Sequence, residues 1–249
     1  MRIVYFGFDL FSNCFEALLN CKDIEVMALY TFETNNVFEF NSKVVALAKS
    51  RNIPVHFNKI TEEDIIKHLN NGLDFTVSAG YIHKIPVPAD NRFRGINVHP
   101  ALLPIGRGAW PYPVTILKGL TESGVTIHKI TNRFDEGDIL LQESFSVTPQ
   151  DTLDTLTEKS QILAKDLLLK VVNSFESYWQ NATPQTLGEY WTEPTDSDRT
   201  ISEDMTHEIA ERIIRAFGSF GVIYNGKTYC GTNKTPTKVN LIDGEIYLK

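Results

Sequence analysis
The chain has 249 residues, 42% apolar and 22% charged, which is the make-up of an ordinary globular protein long enough to bury a sizeable core. A net charge of −7 argues against a nucleic-acid partner, because phosphate contacts need a basic surface. Cys14, Cys21 and Cys230 are odd in number and match no disulfide framework, and no apolar run nears the ~20 residues that span a bilayer, so a cytoplasmic protein without a membrane partner is expected.

In chain order, Ile3 to Phe6 reads as a buried strand ended by Gly7, after which Asp9 or Ser12 can cap a helix carrying Phe15, Leu18 and Leu19. Ile24 to Tyr30 reads as a second strand, and Val44, Val45, Leu47 and Ala48 form one helical face. A short strand surrounds Pro54. Thr61 starts a helix with Glu62, Glu63 and Asp64 in its first turn, where acids favour the helix dipole. Phe75 to Ala79 is a strand before Gly80. Strands alternating with helices predict a parallel sheet, with ligands beyond the strands' carboxyl ends.

Two further strands, 124–130 and 138–147, flank the segment 131–137. A long helix is expected from about Thr152 to Trp179. Residues 181–198 are polar and turn-rich and read as a linker. A helix over about 203–217 precedes four short strands, with hairpin turns at Asn225-Gly226 and Asp243-Gly244. The fold class is α/β: a Rossmann-like, mostly parallel sheet with helices on both faces, plus a small β-rich C-terminal subdomain. The expected domains are 1–185 and 186–249.

Residues 95–108 read Gly-Ile-Asn-Val-His-Pro-Ala-Leu-Leu-Pro-Ile-Gly-Arg-Gly. Side chains two apart on a strand share a face, so Asn97 and His99 can point into one site. Residues 134–141, Phe-Asp-Glu-Gly-Asp-Ile-Leu-Leu, add carboxylates in a turn. Asn, His and Asp together supply a donor, an acid/base and an orienting carboxylate. The six histidines show no metal-ligand spacing, and no metal is expected. Alone, a strand-end His99 would more often be structural; His56, His68, His128 and His207 are taken as ordinary.

These runs, with Leu102-Leu103-Pro104, Arg107-Gly108-Ala109, Pro111 and Ser123-Gly124-Val125-Thr126-Ile127, resemble the folate-dependent formyltransferase family. The resemblance is dense over about 75–145, looser over 1–75 and weaker past 185. Ala101 stands where many members carry Ser. The resemblance implies 10-formyltetrahydrofolate as co-substrate and a primary amine as acceptor. It implies Asn97 and protonated His99 as donors to the oxyanion, and Asp135 as the carboxylate that fixes the imidazole and removes the amine proton. Asp138 is the runner-up. The folate ring would lie against Ile82, His83, Lys84 and Ile85 on one side and Thr131, Asn132, Arg133 and Phe134 on the other. Phe8 and Asp9 lie in the loop that faces the acceptor in relatives.

Among family members, the short sugar-nucleotide N-formyltransferases fit the acidic charge and compact tail best, which implies a nucleotide-linked amino sugar as acceptor and a role in lipopolysaccharide O-antigen assembly. A base can stack on Tyr81, Trp110 or Tyr112, and Lys84 or Arg107 can meet the diphosphate. Arg107, followed by Gly108, is either the start of a helix or an anion contact. The alternatives are a methionyl-tRNA formyltransferase and a non-catalytic binding protein that kept the fold. The many apolar side chains of residues 200–249 must pack on the catalytic domain, on a second copy or on both, and a homodimer held partly by this tail is expected.

Overall fold
Runs rich in Val, Ile, Phe and Tyr pack well on a pleated surface, and they form the central strands of the protein. The structure is a computed structural model that describes residues 1–35, 39–231 and 236–248. It begins with β1 (Arg2–Gly7), α1 (Ser12–Leu19), β2 (Glu25–Tyr30), α2 (Ser42–Ser50), β3 (Val55–His56), α3 (Glu62–Asn70), β4 (Phe75–Ala79) and β5 (Gly95–His99). Next come β6 (Ile105–Arg107), α4 (Pro111–Leu117), β7 (Glu122–Lys129), β8 (Ile139–Ser146), α5 (Leu153–Asn173), α6 (Phe175–Gln180) and β9 (Glu189–Tyr190). The chain closes with α7 (His207–Phe217), β10 (Val222–Tyr224), β11 (Lys227–Tyr229), β12 (Thr237–Leu241) and β13 (Gly244–Leu248). No helix among the described residues is long and apolar enough to cross a membrane.

The main sheet has seven strands in the order β3-β2-β1-β4-β5-β7-β8. The first five in that order pair in parallel, and β5 pairs antiparallel with β7. This is the α/β class that the alternation of elements predicts. On one sheet face Ile3, Tyr5, Phe75, Val77, Ile96, Val98, Val125 and Ile127 join Phe15 and Leu18 of α1 and Leu167, Leu168 and Val171 of α5 in a buried core. Full burial of each such side chain is worth roughly 1.5–3 kcal/mol. On the other face Val4, Phe6, Ala28 and Tyr30 meet Ile65 and Leu69 of α3.

The helix ends show how local chemistry sets boundaries. Thr61 and Asp64 exchange hydrogen bonds in a capping box that starts α3, satisfying donors the first turn leaves open. Asp9 does not cap α1. Its carboxylate instead accepts from the backbone N–H groups of Lys43 (3.0 Å) and Val44 (2.9 Å), at the start of α2. The expected helix over 152–179 is interrupted at Ser174, whose backbone is non-helical (φ −137°, ψ 39°). The interruption stacks Phe175 on Phe75 at 4.0 Å and places the Arg94 guanidinium 5.0 Å above the Phe175 ring.

The chain divides into two compact units. One comprises Met1–Arg107, Gly124–Ser144 and Ser160–Glu189; the other comprises Gly108–Ser123, Phe145–Lys159 and Tyr190–Lys249. The second unit has its own core, in which Phe217, Val222, Tyr224, Tyr229, Val239, Ile246 and Leu248 pack with Tyr112, Ile116, Val147, Leu153 and Leu156. Segments from earlier in the chain therefore cover many of the apolar side chains of the tail. Asn225 (φ 46°) and Gly226 (φ 71°) form the expected left-handed hairpin turn. The second hairpin turns one residue earlier than expected. Leu241 pairs with Gly244, so Ile242 and Asp243 make the loop, and the Asp243 carboxylate accepts from His207 N–H at 2.6 Å.

Within the second unit, the buried Asp151 carboxylate accepts from Thr148 N–H (2.7 Å), Thr155 Oγ1 (2.9 Å) and Lys159 Nζ (2.7 Å). Burial raises its pKa, but the Lys159, Thr148 and Thr155 hydrogen bonds outweigh that and bring it down to about 2. An unfolded Asp titrates near ~3.9. The stabilisation, about 2 kcal/mol, is therefore fully present above that value and lost as pH falls through about 2. Asp151→Asn should lower stability by about that much at pH 7, and the difference from the parent should shrink as pH falls from 5 toward 2 in urea titrations.

Candidate active site
The face of the sheet opposite the α1/α5 core changes character from one strand to the next. Register places Tyr30, Phe6, Ser78, Asn97 and His128 in one lateral row across β2, β1, β4, β5 and β7. The row is aromatic on β2 and β1 and polar from β4 onward. In the next row His99 lies opposite Thr126. The residues between them, Ile96, Val98, Val125 and Ile127, are buried on the apolar face. Period-two alternation in Ile-Asn-Val-His and Val-Thr-Ile-His thus delivers four polar side chains to one surface.

Asp135 reaches this surface from the turn between β7 and β8. The structure brings Asn97, His99 and Asp135 together and adds His128, which the sequence reading left out. The Asp135 Oδ1 atom lies 3.5 Å from His99 Nδ1, 3.4 Å from His128 Nε2 and 3.4 Å from Asn97 Nδ2. Asn97 Nδ2 also donates to His128 Nε2 at 3.1 Å. His99 is 4% exposed, His128 2% and Asp135 8%.

Backbone carbonyls fix both imidazoles. His99 Nε2 lies 2.7 Å from Gly106 O, and His128 Nδ1 lies 2.8 Å from Lys129 O. A carbonyl only accepts, so each of those nitrogens carries its hydrogen. In the neutral rings His99 Nδ1 and His128 Nε2 are then bare, and both face the Asp135 carboxylate. Lone pairs around an anionic oxygen make a site that gains by taking up a proton. The attraction between an imidazolium and a carboxylate at this separation is on the order of 4 kcal/mol near a protein surface, against a burial cost of several kcal/mol. Burial wins: it holds the His99 pKa below its ordinary value, assisted by His128 and opposed by Asp135 and the Gly106 carbonyl. With His99 Nε2 on Gly106, Asn97 is the member of the set with an amide N–H to turn toward an incoming carbonyl.

The backbone that carries Asp135 is unusual. Its φ of 56° lies in the left-handed region, where a non-Gly residue is held at a cost of order 1–3 kcal/mol. Two residues on, Gly137 passes so close to the Lys129 carbonyl that a β-carbon would overlap it. Asp138 pairs with Lys129 Nζ at 3.0 Å. After β5, Thr126 Oγ1 donates to Ala101 O (2.6 Å) and accepts from Leu103 N–H (3.2 Å), holding the loop that begins at Pro100.

The other expected site residues are distributed as follows. Tyr81 and Ile85 are buried, Ile82 and Lys84 are exposed, and His83 meets the Tyr81 ring edge-on at 5.4 Å. Phe8 packs on Phe32 at 5.4 Å. Thr131 Oγ1 donates to Arg133 O at 2.9 Å, while Asn132 and Phe134 are exposed. Arg107 is buried, and its guanidinium donates to Gln185 Oε1 and Thr186 O. Gly108 and Trp110 belong to the second unit, where Trp110 meets Phe220 at 5.2 Å. No group of three or more metal-ligating side chains occurs among the described residues.

In Asp135→Asn the upward pull on His99 disappears, so the His99 titration, followed by NMR, should move further below that of the parent. An unchanged titration would mean that the carboxylate does not act on the ring. Gly137→Ala should cost on the order of 2 kcal/mol in denaturant unfolding, through the clash with the Lys129 carbonyl.

Comparisons with known proteins identify the family. The formyl transferase family model matches residues 1–172. A methionyl-tRNA formyltransferase from Ehrlichia ruminantium (strain Gardel) is 32% identical over 243 residues, covering 91% of this chain and 78% of that protein. Among solved structures, the sugar 3N-formyl transferase WlaRD, determined with dTDP and 5-N-formyl-THF, covers 100% of this chain and 97% of its own, with a TM-score of 0.74 at 18% identity. The N-formyltransferase from Helicobacter canadensis, in complex with folinic acid and dTDP-3-aminofucose, covers 99% of this chain and 97% of its own, with a TM-score of 0.72 at 18% identity. The chain belongs to the formyl transferase family and is a folate-dependent formyltransferase, an enzyme that uses formyltetrahydrofolate as co-substrate.

Proposed function
We propose that the protein transfers the formyl group of 10-formyltetrahydrofolate to the primary amine of a nucleotide-linked amino sugar, such as a dTDP-amino-dideoxyhexose. The observation that carries this reading is the match in fold with sugar N-formyltransferases over 100% of this chain, C-terminal hairpins included. The net charge of −7 supports it, since a tRNA substrate calls for a basic surface. The second reading, methionyl-tRNA formylation, is favoured by the 32% identity to an enzyme of that name.

In this reading the acceptor amine attacks the formyl carbon. A nitrogen–carbon bond forms and the carbonyl electrons move to oxygen. Asn97 donates an amide hydrogen bond to that oxyanion; one such donor is typically worth ~3–4 kcal/mol in the transition state. Asp135, between the bare nitrogens of His99 and His128, takes the proton that the attacking amine must lose. Collapse of the intermediate breaks the bond to folate N10, and that nitrogen recovers the proton. The folate ring lies against Ile82, His83, Lys84 and Ile85 and against Thr131, Asn132, Arg133 and Phe134. The acceptor lies toward Phe8, Asp9, Tyr81 and Arg107. A homodimer and a cytoplasmic location belong to the same reading, and sedimentation equilibrium at micromolar concentration tests the former.

Incubation with 10-formyltetrahydrofolate and a panel of thymidine- and uridine-diphosphate amino sugars should give a mass gain of one formyl group on at least one of them. Formylation of methionyl-tRNA at a comparable rate would overturn the substrate class. In the same assay Asn97→Ala, His99→Ala and Asp135→Asn should each lose at least on the order of a hundredfold in kcat. A rate within tenfold of the parent would remove that residue from the mechanism.

A further inference from the structure
The left-handed turn that presents Asp135 needs something to hold it, and one side chain from the polar stretch after α6 is bonded to it twice. Gln185 Nε2 donates to the carbonyl of Asp135 itself (2.9 Å) and to the carbonyl of Gly137 (2.7 Å). Its other end, Oε1, accepts from Arg107 Nε (3.1 Å) and Nη2 (2.8 Å). Arg107 is only 7% exposed and follows Gly106, whose carbonyl orients the His99 ring. One carboxamide therefore ties the backbone that orients His99 to the backbone that carries Asp135.

The chain around Gln185 is itself held in place. Thr183 and Ile139 exchange backbone hydrogen bonds at 2.8 Å in both directions. Glu189 N–H donates to Pro104 O at 3.1 Å, and Gly188 passes so close to Pro104 that a β-carbon would overlap its carbonyl. The carboxamide is thus supported on both sides along the chain, by β8 at Ile139 and by the loop at Pro104. Glutamine is the side chain that meets both demands. It donates twice from one end to carbonyls and accepts at the other end from a guanidinium.

We propose that Gln185 is a positioning residue of the formyl transfer reaction: it sets the separation of the His99–Asp135 pair through Arg107 on one side and the 135–137 turn on the other. The proposal rests on the reading of Asn97, His99 and Asp135 as the reacting set. A displacement of a catalytic group by about 1 Å can cost on the order of a hundredfold in rate. Loss of the two donated bonds releases a turn whose backbone is already unfavourable, so Asp135 moves away from His99 while Ile82 to Ile85, on the far side of the folate, stay as they are.

The test is Gln185→Met in the full-length protein, which keeps the side-chain length and removes both donors and the acceptor. With 10-formyltetrahydrofolate and a dTDP-amino-dideoxyhexose, kcat should fall on the order of tenfold to a hundredfold, with KM for the folate within about threefold. The His99 resonance, identified by its loss in His99→Ala, should titrate lower than in the parent, because Asp135 raises it at close range. A kcat within about twofold of the parent, or an unmoved His99 titration, would overturn the proposal. Full activity in His99→Ala would instead overturn the reading of the site. If the parent does not formylate this acceptor, the substrate class fails and the titration alone decides the role of Gln185. Should Gln185→Met not fold, Gln185→Asn keeps a neutral carboxamide but falls a methylene short of the two carbonyls, and it must show the same downward shift of His99.

Discussion
A carboxylate that is 8% exposed cannot stand without partners, and the surroundings of Asp135 follow from that constraint. The partners lie on two antiparallel strands, so β5 and β7 must hold the register that sets Asn97 opposite His128. Both histidine partners are themselves polar and buried, and each in turn needs a carbonyl. Gly106 and Lys129 supply those carbonyls, which fixes the loop after β5 and the last residue of β7. The seven-stranded sheet is apolar where it faces α1 and α5, and on its other face β4, β5 and β7 carry Ser78, Asn97 and His128 in one row.

The same arrangement explains why burial serves the chemistry. In water, an imidazole beside a carboxylate would be held protonated by it. Here desolvation of the ring is the larger effect, and His99 stays neutral to a lower pH than usual. The His99 ring is therefore poised to accept a proton. Directional carbonyl bonds decide which nitrogen of each ring is bare, so the vacancy points at Asp135 and not at bulk water.

Much of this was legible in the sequence. Alternation of two residues within Ile96 to His99 placed Asn97 and His99 on one face, and the turn at Asp135 followed from Gly137. His128 is equally accessible, because Thr126 and His128 alternate with Val125 and Ile127 in the same way, but a lone histidine in an apolar strand carries no signal of its own. Gln185 was not legible. It sits in a polar stretch with no period, and its importance comes from carbonyls about fifty positions earlier in the chain. The helix break at Ser174 also escaped, since the apolar pattern runs on through it and only the packing of Phe175 on Phe75 shows why the chain turns there. The β-rich tail was recognised, but its core partners come from residues 112–116 and 147–156, and no local pattern connects those to the last strands.

The pairing of β5 with β7 has a consequence for how the family can vary. Between His99 and Glu122 the chain leaves the sheet and returns, and this excursion can in principle grow or shrink. Its length is nonetheless subject to a parity rule at the point of return. If β7 re-entered one residue out of step, Val125 and Ile127 would take the places of Thr126 and His128. Asp135 would then face hydrocarbon, and two polar side chains would be driven into the α1/α5 core. An insertion or deletion here preserves the site only when the excursion absorbs it completely and returns β7 in phase.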